Sequence, residues 1–381
     1  MKIAVIGVYY SENLGDGIIC DSVAWWMKKA FPQAEIEIID IEGKENFSPQ
    51  HPASVRLLQY RHLKLMWDNF LTRTGINDRI YYWNKIDVDT RQEFYDRIGN
   101  KGYDAVVFAG GQLFMDWLSV DICEFLKRLE QKNIPVFFNA CGVGAAISEN
   151  IRKDLSRYLQ NKNVRFISSR DDAEKIEKRY LGNGKKVFET YDPALCCKEA
   201  YRLEPRKDSM LGLGIMYSTH VRQGKLTAFW LKIIRELEKR KIKWKMFCNG
   251  SADDYNYGCY ILKKTGLDKE THIFDYPKEP KELIRQITSF DRIISFRLHS
   301  HIVAAAYDIP AVSIVWDDKL RFFYRKIHHE ERCRSIEDTP KTILDTLSRA
   351  VKEGYDRVLI EEQKIFSREL LVSRIKEAFD E

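Results

Sequence analysis

Four short apolar runs in the first half of this chain, residues 2–8, 104–109, 134–139 and 164–168, each end in small or polar residues that open a loop or a helix. Runs of this length without polar alternation fit strands buried on both faces, as in parallel sheets. Strands that alternate with helical stretches build a doubly wound sheet, and their carboxyl ends then share one rim. The pattern restarts after a polar stretch at 199–209, with strands expected at 211–217, 243–248, 272–275, 292–296 and 311–315. A chain of 381 residues is also long for a single core, so two such units are expected. The expected organisation is an N-terminal unit over 1–198 and a linker over 199–209. A second unit over 210–337 and helices over 338–381 complete it. The first unit carries a basic, aromatic, helical insertion at about 44–100.

Composition narrows the class. The net charge of +6 is mild and spread along the chain, which favours anionic ligands and gives no nucleic-acid footprint. The eight cysteines form no CxxC pair and no Cys/His cluster with zinc spacing. Reduced thiols in a cytoplasmic protein are therefore expected, with no metal and no cofactor. Residues 1–7 open a strand rather than a signal peptide, and no run approaches the length of a membrane span.

The richest stretch is Asp291-Arg-Ile-Ile-Ser-Phe-Arg297-Leu298-His299-Ser300-His301. It reads as a strand, a tight turn and a helix start. That puts a permanent cation and an imidazole where open α/β sheets bind ligands, beside a helix N-terminus that attracts anions. The loop after the first strand, with Asn13, Gly15 and Asp16, and the Gly110-Gly111 pair sit at other strand ends. The loop is neither GxGxxG nor a P-loop, and Asn13 and Asp16 also suit a plain turn and helix cap. In the insertion, Arg56, Arg61, His62, Lys64, Arg73, Arg79 and Lys85 interleave with Leu57, Leu58, Leu65, Met66, Trp67, Phe70, Tyr81, Tyr82 and Trp83. Packing of these aromatics into the core is expected ahead of contact with an anionic membrane.

Taken in order, Asn13-Leu-Gly15-Asp16, Gly110-Gly111, Gly142-Val-Gly144, Ser169-Arg170-Asp171, Asp192-Pro193, Arg297-Leu298-His299-Ser300, Pro310 and Lys319 resemble the polysaccharide pyruvyl transferases. Family members often carry a third small residue after the glycine pair, where this chain has Gln112. The resemblance implies two Rossmann-like domains with parallel sheets facing a cleft, a GT-B-like architecture with a C-terminal helical segment. It implies transfer of a pyruvyl group from phosphoenolpyruvate to a saccharide, commonly as a cyclic ketal on a cell-surface or exopolysaccharide precursor.

On that reading His299 is the general acid and Asp16 a further catalytic group. Arg170, Arg297, Asn13, Gly110, Gly111, Gly142, Gly144, Ser300 and Lys319 bind substrate. Fixed guanidinium groups suit the donor's carboxylate and phosphate, and a titratable imidazole suits protonation of its methylene carbon. Asp192 is a second candidate to take the hydroxyl proton, and His301 reads as structural. The expected acceptor is a nucleotide- or lipid-linked saccharide, with peripheral contact at the inner membrane face. Two other functions fit the same pattern: a GT-B glycosyltransferase using a nucleotide sugar, and a non-catalytic glycan-binding or assembly protein.

Overall fold

A computed structural model describes residues 1–47, 55–182, 184–205, 208–218 and 221–380, without the side chains of 55–59, 61 and 62. The side chains of Arg56, Leu57, Leu58, Arg61 and His62, and Arg206 and Lys207 of the expected linker, lie outside that description.

Two parallel sheets carry the molecule. The first contains β1 (Lys2–Gly7), β2 (Glu35–Asp40), β3 (Ala105–Phe108), β4 (Gly111–Phe114), β5 (Val136–Val143), β6 (Val164–Ser169) and β7 (Phe188–Glu189). Its order is β2-β1-β3-β5-β6-β7, with β4 paired to β5. The second contains β8 (Leu211–Gly214), β9 (Trp244–Phe247), β10 (Arg292–Ser295), β11 (Ala311–Ile314) and β12 (Cys333–Arg334), in the order β12-β11-β10-β8-β9. The central strands are wholly buried, as their unbroken apolar runs require: Ile3, Ala4, Val5 and Ile6 of β1 pair with Ala105 to Phe108 of β3. In each sheet the winding direction reverses beside the first strand, between β1 and β3 and between β8 and β10. Such a reversal opens a crevice at the carboxyl ends of the strands.

The two halves share a core. The helix Leu14–Ala30 packs on the helix Pro280–Ile287 and on the turn Pro193–Cys196, which also meets the helix Leu298–Ala306. All nine residues of Leu298–Ala306 are buried, and its three C-terminal alanines allow close packing. Beyond the second sheet, the helix Arg357–Asp380 returns to the first half. There Ser367 Oγ accepts from Tyr191 N (3.1 Å), and Lys364 pairs with Glu199 at 2.8 Å.

Two local expectations are corrected, and one strand was not expected. After β3 the chain does not leave the first sheet. Gly110 and Gly111 take φ of +123° and +95°, and the chain continues in the sheet as β4. Residues 272–275 are not a strand. Asp268 caps a short helix, Lys269–His272, and only Ile273 bridges to Met246. In the insertion, Tyr95 is core, but the side chains expected to pack there from its first two helices are not. The insertion forms helices Val55–Arg73, Arg79–Asp89 and Gln92–Gly99, and Met66, Trp67, Phe70, Tyr82 and Trp83 are exposed.

Candidate functional site

The crevices of the two sheets face each other across a cleft of about 420 Å³. Asn13 and Asp16 reach it from the loop after β1, and Gly110 and Gly111 from the loop after β3. Arg170 follows β6, Arg297 and His299 follow β10, and Lys319 follows β11. Eight of the expected site residues therefore meet in one place. The other three do not. Gly144 donates its N–H to Phe114 O (3.0 Å) and packs against Met115, and Gly142 packs against Asp171. Ser300 donates to Asn249 Oδ1 at 2.7 Å and is buried. The first two let neighbouring segments approach closely, and the third ties a helix start to a loop.

At the centre lies a buried triad of charge and imidazole. Arg170 is clamped to Asp192, with a second, longer approach of Nε to Asp171 Oδ1 at 3.7 Å. Its Nη1 also lies 3.3 Å from His299 Nε2. A guanidinium has only donors, so Nε2 accepts and the neutral ring carries its proton on Nδ1. That atom faces Gly15, where a β-carbon would sit 2.1 Å away. Burial pushes His299 down to about 4, with Arg170 adding to the effect and Asp192 and Asp16 opposing it. The imidazole is thus neutral near pH 7 in the free protein. A second proton would sit on Nε2, 3.8 Å from Asp192 Oδ2. Burial also works against the charge of Arg170, but Asp192, Asp171 and Asp16 together raise its affinity for the proton.

Two further cations edge the cleft. Arg297 donates from Nε (3.0 Å) and Nη2 (2.7 Å) to one oxygen of Asp254, whose carboxyl is raised by burial and pulled back by Arg297. Lys319 sits 3.2 Å from Gln112 Oε1 and 3.6 Å from Asp317, with its ammonium over the Trp316 ring. Burial lowers its proton affinity, and the positive charges of Arg170 and Arg297 act in the same direction.

The loop opposite is organised around Asp16, which accepts from Ser11 Oγ (3.1 Å) and Asn13 Nδ2 (3.3 Å). Asn13 occupies the cap position of the helix without capping it by its side chain. Its Oδ1 is buried and has no hydrogen-bond partner among the described residues. The loop is pinned to the other half by Leu14 N, which donates to Asn249 O at 2.9 Å.

Asp254, Trp117 and Trp316 were not singled out from the sequence. Asp254 is one of two adjacent aspartates in the first turn of a helix, and nothing local marks it as the partner of an arginine 43 residues away. By contrast His301, two residues from His299, is locked in structure: its Nε2 lies 3.0 Å from Ser295 O and its Nδ1 2.9 Å from the Tyr324 hydroxyl.

A family model for polysaccharide pyruvyl transferases matches residues 13–318. No curated protein sequence matches the chain. Among solved structures, the Methanocaldococcus jannaschii UDP-GlcNAc 2-epimerase in complex with UDP-GlcNAc and UDP is similar at a TM-score of 0.55 and 12% identity, covering 97% of this chain and 99% of its own. The S. aureus MnaA–UDP structure gives 0.58 at 10% identity, covering 100% and 97%. The Rickettsia bellii UDP-N-acetylglucosamine 2-epimerase gives 0.53 at 12% identity, covering 99% and 96%. At these identities the likeness is one of fold, the GT-B arrangement of two facing parallel sheets.

Proposed function

This chain belongs to the polysaccharide pyruvyl transferase family, and on that premise we propose that it transfers a pyruvyl group from phosphoenolpyruvate to a saccharide, closing a ketal on two hydroxyls and releasing phosphate. The observation that carries the reading is the convergence of Arg297, Lys319 and the Arg170–His299–Asp192 cluster on one cleft. A compact donor with a carboxylate and a phosphate needs several fixed cations around a proton source.

In this reading Arg297 and Lys319 hold the donor's anionic groups. Arg170, buried and already paired, orients the His299 ring. The donor's phosphate raises the proton affinity of His299, and the resulting imidazolium, stabilised by Asp192, protonates the methylene carbon of the enol. One sugar hydroxyl bonds to the neighbouring carbon and gives up its proton, for which Asp16 is the acceptor. The second hydroxyl then displaces phosphate from that carbon. The departing phosphate takes the remaining proton, so atoms and charges balance. The Oδ1 of Asn13, unpartnered among the described residues, is an acceptor suited to a sugar hydroxyl.

The test is calorimetry of phosphoenolpyruvate, UDP and GDP with the purified protein, followed by phosphate release in the presence of candidate saccharides. Binding of phosphoenolpyruvate and not of the nucleotides, weakened by Arg297→Ala, supports the reading. Binding of a nucleotide alone replaces it with glycosyl transfer.

A further inference from the structure

Among the described residues, ten of the eighteen exposed large apolar side chains fall between Tyr60 and Ile86. Monomeric proteins rarely concentrate exposed apolar surface in this way without a partner. The helix Val55–Arg73 is the outer layer of this region. Only Asp68 is buried among its described side chains, and it pairs with Arg79 at 3.3 Å. At about 100° per residue, Met66, Phe70, Leu63, Trp67 and Tyr60 fall within an arc of about 120° on the face away from Asp68. Lys64 and Arg73, both exposed, flank that arc on its two sides. The neighbouring helix Arg79–Asp89 adds exposed Tyr82, Trp83, Lys85 and Ile86, and Lys64 lies over the Trp83 ring.

We propose that this two-helix face docks on an anionic phospholipid surface. An apolar arc edged by long cations, with tryptophan and tyrosine at the margin, matches the depth profile of a bilayer interface: rings at the headgroups, ammonium and guanidinium groups on the phosphates. The charges agree. Asp68 is taken by Arg79, Asp78 caps a helix and accepts from Ser148 and Asn150, and Asp87 pairs with Arg91. The cations of the face, Lys64, Arg73 and Lys85, thus outnumber the one further exposed carboxylate of these two helices, Asp89, which lies between Lys85 and Tyr82 on the second helix. No helix among the described residues is long and apolar enough to cross a membrane, so the contact is peripheral. The helix Arg79–Asp89 packs on the helix Asp116–Gln131, whose Trp117 lines the cleft. Docking here would hold the cleft close to the lipid surface. The proposal does not depend on the reaction assigned to the cleft.

The test is co-sedimentation of the full chain with vesicles of phosphatidylcholine alone and of phosphatidylcholine with phosphatidylglycerol. Partition to the anionic vesicles, released by salt, is expected. Lys64→Gln with Lys85→Gln should weaken it about twenty-five-fold, at roughly fivefold for each cation removed. Trp67→Ser with Phe70→Ser should abolish it while circular dichroism and phosphoenolpyruvate binding stay as in the parent, since both side chains are exposed. Absence of partition overturns the proposal, and so does equal partition to both vesicle types. A dimer in light scattering that Trp67→Ser dissociates, without vesicle binding, would make the face an interface between copies instead.

Discussion

The imidazole of His299 lies against the α-carbon of Gly15, so that a β-carbon on that glycine would stand 2.1 Å from Nδ1. The contact joins the loop after β1 to the helix after β10, and so joins the two sheets at the point where the cleft is deepest in charge. Gly15→Ala must push the ring, the loop or both. Overpacking of this kind costs about 1–3 kcal/mol of stability. The effect on turnover should be larger, about a hundredfold or more in kcat, because a displacement near 1 Å at a reacting group is enough for that. Phosphate-release kinetics with a thermal melt alongside separate the two. A variant with near-parent kcat would show that the ring position is not needed.

Arg297 depends on Asp254, which takes both Nε and Nη2 and is itself buried. Arg297→Ala alone leaves a buried carboxylate unpaired and should destabilise the fold by about 3–5 kcal/mol. Adding Asp254→Asn should recover most of that stability without recovering donor affinity. The single change Asp254→Asn should keep the charge in the cleft but loosen its aim, weakening phosphoenolpyruvate binding about tenfold, the loss of roughly one charge-assisted hydrogen bond. Equal donor affinity in the double variant and the parent would remove Arg297 from the donor site.

His299 is held neutral by burial, at about 4, in the free protein. If the donor's phosphate supplies the charge that protonates it, binding between pH 6 and 7 should take up nearly one proton. Calorimetry in two buffers of different ionisation enthalpy measures that uptake. It should vanish in His299→Ala while binding itself survives. No uptake in the parent would leave the acid role without its proton.

His301 is likewise pushed down to about 4 by burial, against the hydrogen bond to Ser295. A lowered folded value means that the unfolded chain binds the proton first as pH falls. The contribution of His301 is therefore complete above about pH 6.5 and is lost progressively toward pH 4, by on the order of 3 kcal/mol. Buried carboxyls such as Asp121, raised to about 7 by burial, work in the opposite direction, so the total curve is a poor readout. The difference between parent and His301→Gln isolates the term. That variant should be less stable at pH 7, and its deficit should shrink as pH drops to 4.5. A deficit independent of pH would mean that His301 titrates normally.

Much of the fold was legible because it is written in local patterns. The buried strands β1 and β3 are apolar runs from Ile3 to Ile6 and from Ala105 to Phe108, each followed within two residues by a glycine, and β5 and β10 are built on the apolar stretches 136–138 and 293–294. Burial on both faces permits little else in a parallel sheet. Arg297 and His299 could be placed at a strand end for the same reason, and their grouping with Asn13, Asp16, Gly110 and Lys319 was implied by the family resemblance.

What only the tertiary structure decided is which groups are paired and which face outward. Arg170 and Arg297 look alike in sequence. In the fold Arg170 is spent on Asp192 and His299, and Arg297 on Asp254, and these partners lie 22, 129 and 43 residues away. Protonation follows from the same distances, since burial and charge, not residue type, hold His299 near 4. The aromatic helices read as core and stand exposed, because periodicity marks an apolar face without saying what covers it. Strand and helix are set by neighbours a few residues apart. Pairing, desolvation and exposure are set by contacts between segments that meet only when both sheets are in place.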